Sequence, residues 1–116
     1  MRILKKSDLK IGERYFLTDY HNPNLKHQED GIVIYSCVYD DYRKEQEKKY
    51  GFASLKEPAL KVVKIEYIIG RNIKTKYFEY YMDANYLRNH NIYSDIGDAQ
   101  QEAIHLLFEK WQPFSE

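Results

Sequence analysis

Cysteine, proline and glycine are scarce in this chain of 116 residues. Its one cysteine, Cys37, rules out an intramolecular disulfide, which is compatible with a reducing compartment. Three prolines and five glycines leave no composition for a long linker, so one domain over residues 1–116 is expected. Long apolar runs are missing too. The longest, Val62 to Ile69, is interrupted by Lys64 and Glu66 and falls well short of the ~20 apolar residues that span a bilayer. Met1 to Asp8 is charged and lacks the apolar stretch of a signal peptide. Together these absences predict a cytoplasmic protein with no membrane partner.

Net charge is also missing. Eighteen basic side chains balance eighteen acidic ones, which argues against a protein dominated by nucleic-acid affinity. The distribution is nevertheless uneven. Residues 56–76 carry six basic and two acidic groups, whereas residues 77–116 carry two and seven. Either the fold has two oppositely charged faces, or it interleaves these groups into surface pairs.

What the chain has is tyrosine, twelve in all, mostly in segments that read as strand. A tyrosine ring packs while its hydroxyl seeks water or a partner, so it suits both a half-buried sheet and a contact surface. Glu13 to Tyr20 alternates as a first strand. Gly31 to Tyr39 has apolar residues on both parities, as in a central strand covered on both faces. Asp40 to Lys49 is almost all charged and reads as a solvated helical turn or a long hairpin loop, and Tyr50 to Ser54 as a short strand. Leu60 to Ile69 places Val63, Ile65, Tyr67 and Ile69 on one face, and Thr75 to Met82 returns after a reversal at Gly70-Arg71-Asn72.

Two helical signals flank these strands. Ser7 is placed to cap a first turn closed by Gly12. At the other end Asp98 is expected to cap an amphipathic helix of about four turns. Its apolar stripe holds Ala99, Ala103, Ile104, Leu107, Phe108 and Trp111, and Pro113 ends it. The predicted class is α+β: a curved antiparallel sheet, or a small partly open barrel, with this helix packed on it. The opening Leu9-Lys10-Ile11-Gly12-Glu13-Arg14-Tyr15 is similar to the start of many SH3-like small barrels.

Candidate chemistry is thin. His21, His27, Glu29 and Asp30 share a loop but lack metal-ligand spacing. Cys37 has the strand parity of Val33 and Tyr35 and reads as a small core hydrophobe. Asp40-Asp41 and the pair Asp95 and Asp98 are carboxylates with solvated or capping roles available. No glycine-rich phosphate loop or GxSxG occurs. No cofactor, metal or enzymatic activity is therefore expected, a small enzyme being the third reading.

Two binding readings come before it. The first is a protein-binding module using Tyr67, Tyr77, Tyr80 and Tyr81. The second is a nucleic-acid-binding sheet using Lys61, Lys64, Arg71, Lys74 and Lys76 beside those rings. The Lys, Ile, Asn and Tyr-heavy composition is what an AT-rich genome encodes, phages and mobile elements included. That association suggests an accessory protein that binds and inhibits a host factor.

Overall fold

The computed structural model describes residues 2–21, 31–41, 43–51, 58–69, 72–82 and 84–110. A 3-10 turn, Lys6–Asp8, precedes strands β1 (Arg14–His21) and β2 (Gly31–Asp40). A helix, α1 (Arg43–Tyr50), follows, then β3 (Ala59–Ile69), β4 (Asn72–Tyr81), α2 (Ala84–Arg88) and α3 (Ile96–Lys110). The four strands pair antiparallel in chain order, so β1 and β4 are the two edges of an open sheet. The class is α+β as expected, but the SH3-like barrel is not seen. Among the described residues no strand returns to β1, and the outer edge of β1 instead pairs with Tyr93 at Phe16.

Register sorts the side chains onto two faces. Rows Tyr15–Cys37–Val62–Tyr80 and Leu17–Tyr35–Ile65–Lys76 point to one face. Rows Phe16–Ser36–Lys64–Tyr77 and Thr18–Ile34–Glu66–Thr75 point to the other. The first, the core face, holds the main cluster, where Leu17, Cys37, Leu60 and Val62 are fully buried under Leu4, Met82 and Ile92. The second, the helix face, receives α3.

A fault crosses the sheet where β3 passes Val63. Ser36 pairs with Lys64 and Cys37 with Val62, so Val63 is an extra residue relative to β2. Opposite it, Lys64 pairs with Tyr77 and Val62 with Tyr80, leaving Phe78 and Glu79 against Val63. Such a bulge resets side-chain parity. Leu60 and Val62 therefore share the core face with Ile65 and Tyr67, and Val63 leaves the uninterrupted stripe expected of it.

Local signals were displaced by a few residues at the helices. Asp8, not Ser7, caps the first turn, its carboxylate accepting the Lys5 backbone N–H at 2.8 Å. Gly12, at a φ of +90°, closes the segment by donating its N–H to the Tyr39 carbonyl. Of Asp40 to Lys49, the part from Arg43 onward is helix, exposed on most sides, and Gly51 stops it with a φ of +79°. Tyr50 ends that helix, and the remainder of the expected Tyr50–Ser54 strand lies largely outside the described residues.

Helix α3 begins earlier than expected. Asp95 is the cap, its Oδ1 accepting the Gly97 N–H at 2.7 Å, and Asp98 sits in the first turn, where a carboxylate favours the helix dipole. Ala99 and Ala103 are fully buried, and their small size lets α3 lie close to Ile32 and Ile34. Glu102 ties the helix to β1, accepting from Thr18 Oγ1 at 3.1 Å and from Asn91 Nδ2 at 2.9 Å. The stripe as predicted is too wide: Ile104 is 51% and Phe108 72% exposed. Trp111 and Pro113 lie outside the described residues. Among the described residues no helix is long and apolar enough to cross a membrane.

Candidate functional site

The sheet is covered unequally. On the helix face, among the described residues, α3 packs against β1 and β2 and reaches neither β3 nor β4. On the core face the N-terminal segment and α2 close over β1, β2 and β3. The outer edge of β1 is occupied by Tyr93, whose N–H and carbonyl pair with Phe16 at 2.9 and 2.8 Å. Strand β4 receives none of this cover, and every residue from Asn72 to Tyr80 is exposed.

Alternation along β4 divides its exposed rings between the faces. Tyr77, 79% exposed, and Ile73, 63% exposed, stand on the helix face. Tyr80, 42% exposed, is on the core face, with Phe78 set edge-to-face against it at 6.1 Å. Partial burial, then the neighbouring Tyr35, Cys37 and Tyr67, push the Tyr80 phenol up to about 12. Val63, Tyr77, Phe78 and Glu79 line an open hollow of about 340 Å³ at the bulge.

The four tyrosines singled out from the sequence are thus not one patch. Tyr67 and Tyr80 occupy the core face, and Tyr77 and Tyr81 the helix face. Tyr67 packs half-buried against the main cluster, and Tyr81 donates its hydroxyl to Asp40 at 2.7 Å. Phe78, inside the expected Thr75–Met82 strand but not one of those four, joins Tyr77 and Tyr80 as an exposed ring.

The lysines are divided in the same way. Lys61 and Lys64 lie on the helix face, where Asp40 approaches Lys61 at 3.7 Å and Glu66 approaches Lys64 at 3.4 Å. Lys74 and Lys76 lie on the core face, with Lys76 Nζ 5.7 Å above the Tyr67 ring. Arg71 lies outside the described residues. The sheet therefore does not gather these cations into a single stripe.

One cluster went unnoticed in the sequence. Asp19 Oδ2 accepts the Tyr86 hydroxyl at 2.9 Å and lies 3.4 Å from His90 Nε2, while Oδ1 accepts the Tyr20 N–H at 2.8 Å. His90 stacks on Tyr86 at 3.8 Å, and its Nδ1 lies 2.7 Å from the Tyr86 carbonyl oxygen. Burial, followed by the hydrogen bond with Tyr35, drives the Tyr86 phenol far above its ordinary range. Two signals pointed here: Asp19 shares strand parity with Tyr15 and Leu17, and Tyr86 and His90 are one helical turn apart. The carboxylate and both ring nitrogens already face partners, so the cluster pins α2 to β1 and presents no unengaged acid or base.

Cys37 is fully buried, and burial pushes its thiol up to about 12, which removes it as a nucleophile near neutral pH. Asp40 is engaged by Tyr81 and Lys61, and Asp95 by the start of α3. The side chains of His21, His27, Glu29 and Asp30 lie outside the described residues. No family model matches the chain, and comparison with curated proteins and with solved structures finds no match.

Proposed function

We propose that this chain is a protein-binding module that engages its partner through β4 and the rings it carries. The observation that supports this reading is a ten-residue strand bearing three tyrosines, a phenylalanine and an isoleucine, with solvent on both faces. Covering such a side chain fully is worth about 1.5–3 kcal/mol. Rigid aromatic rings are also efficient contact residues, because few torsions are frozen on binding. A strand that forgoes this burial within its own fold is poised to recover it against another molecule. An accessory protein that inhibits a host factor would act in this way, by occupying a surface.

The nucleic-acid reading ranks lower on the same geometry. Counterion release favours several cations along one track, whereas Lys61 and Lys64 are turned away from Lys74 and Lys76 and have carboxylates beside them.

Affinity capture from native lysate, with and without nuclease, tests the reading. One stoichiometric protein that survives nuclease is expected. Its affinity should drop about 30-fold or more for Tyr77→Ala with Tyr80→Ala while the circular dichroism spectrum is kept. Nuclease-sensitive recovery of nucleic acid, abolished by Lys64→Glu with Lys74→Glu, would overturn it in favour of the alternative.

A further inference from the structure

Strand β4 is an edge with an unusual order of residues. On its core face the sequence from start to end is Lys74, Lys76, Phe78, Tyr80, cations first and rings second. On its helix face the order is Ile73, Thr75, Tyr77, Glu79, Tyr81. An order of this kind complements itself when one copy is reversed against another.

We propose that β4 pairs antiparallel with β4 of a second copy of this chain about a twofold axis at Tyr77, making one continuous eight-stranded sheet. The inference rests on the reading of β4 as a protein-binding surface and names its partner. Directly opposed residues in an antiparallel pair share a face. Centring the pair on Tyr77 therefore sets Lys76 opposite Phe78 of the other copy and Lys74 opposite Tyr80. Both are cation-on-ring contacts of the type Lys76 already makes with Tyr67. On the other face Ile73 meets Tyr81, and Glu79 meets the uncharged Thr75. No like charges oppose each other, and all positions from Ile73 to Tyr81 are paired.

Other arrangements are worse. Slipping the pair so that Lys76 becomes central sets Lys76 against itself. Parallel pairing places each lysine beside its own counterpart. Edge lysines ordinarily discourage strand pairing; here they exclude registers centred on Lys74, Thr75 or Lys76, and a Phe78-centred register, though free of like charges, pairs only positions 75 to 81 of the strand. A twofold β4–β4 contact is isologous and so closes at two copies, and the opposite edge of the sheet is interrupted at Phe16 by its bridge to Tyr93. The twofold axis stands perpendicular to the sheet, so both α3 helices fall on one side of it.

Sedimentation equilibrium over a wide concentration range, with cysteine cross-linking of the full chain, tests this. The wild type is expected to be a concentration-dependent dimer, and Tyr77→Lys, which sets two ammonium groups across the axis, to raise its dissociation constant about 30-fold or more. Mild oxidation should cross-link Tyr77→Cys to itself rapidly and Thr75→Cys slowly, because position 75 faces position 79 of the other copy; the native Cys37 is buried and silent. A dimer indifferent to Tyr77→Lys, or cross-linked equally at both positions, would refute the pairing. So would a monomer at every concentration. In that case, loss of a captured protein partner in Tyr77→Lys would leave the binding-module reading standing, and full retention of the partner would remove that reading as well.

Discussion

Strands β2 and β4 are each ten residues long, lie in the same sheet and are both rich in tyrosine and β-branched residues, yet their surroundings are opposite. β2 is covered on both faces, with α3 over Ile32 and Ile34 and the main cluster around Val33 and Cys37. β4 is exposed on both faces. Composition does not account for this. Position in the meander does, because a chain-order sheet places β2 and β3 inside and leaves the last strand at an edge, and α3 returns to the β1–β2 half. The lysines record the difference: β2 has none, whereas β4 carries Lys74 and Lys76. The same residue type should therefore matter greatly in one strand and little in the other.

Isoleucine offers the largest contrast. Ile34 in β2 is 1% exposed and Ile73 in β4 is 63% exposed, and register places both on the helix face. Ile34→Ala should cost about 2–5 kcal/mol, from lost burial and from the cavity left beneath Ala103. Ile73→Ala should stay within about 0.5 kcal/mol when unfolding is followed at a concentration low enough to keep β4 unpaired. Urea denaturation of both variants measures the difference. Equal losses would mean that β4 is packed as β2 is, and the division of the sheet into a core half and a contact half would not hold.

A smaller effect is expected from pH. Burial raises the Cys37 thiol from 9.0 to about 12 in the folded chain. Below pH 9 both states hold the proton and its contribution is fully present. Between pH 9 and 12 the unfolded chain ionises first, and stability falls by about 1.4 kcal/mol per pH unit from this group. The phenols of Tyr35, Tyr80 and Tyr93, also raised, add to the slope. Comparing urea midpoints of wild type and Cys37→Ala at pH 8, 10 and 11 isolates the thiol, since the tyrosines are common to both. Parallel lines would place Cys37 in contact with water and weaken the account of β2 as a strand closed on both faces.

The strands were legible in the sequence because period-two alternation is a local property. β1, β2 and β4 come within a few residues of their predicted limits, and the two-sided burial of β2 follows from its apolar residues on both parities. What escaped is non-local. The bulge at Val63 is visible only against the registers of β2 and β4, and the straight alternation of Val63, Ile65 and Tyr67 concealed it. The Asp19–Tyr86–His90 cluster joins residues far apart in the chain. The split of Tyr80 from Tyr77 and Tyr81 follows from parity within β4, and Tyr67 joins Tyr80 only through the hairpin register that sets it against Lys74. That β4, rather than another strand, carries the exposed rings depends on where α3 docks, which a helical wheel cannot reveal.

Helix α3 repeats the contrast on a smaller scale and supplies the smallest predicted effect. By helical spacing Phe108 looked like a core residue, whose truncation would cost about 3–5 kcal/mol. Instead the contact is made by Ala99 and Ala103, and the Glu102 side of the helix turns to β1 through Thr18 and Asn91. Ile104 and Phe108 lie away from that side and stand in solvent. Phe108→Ala should therefore shift stability by no more than about 0.5 kcal/mol in urea titration. A loss of several kcal/mol would mean that Phe108 is covered in the folded protein in solution and that α3 reaches further across the sheet. The open half would then narrow to the outer edge of β4, where Tyr77 and its neighbours would have to carry the binding alone.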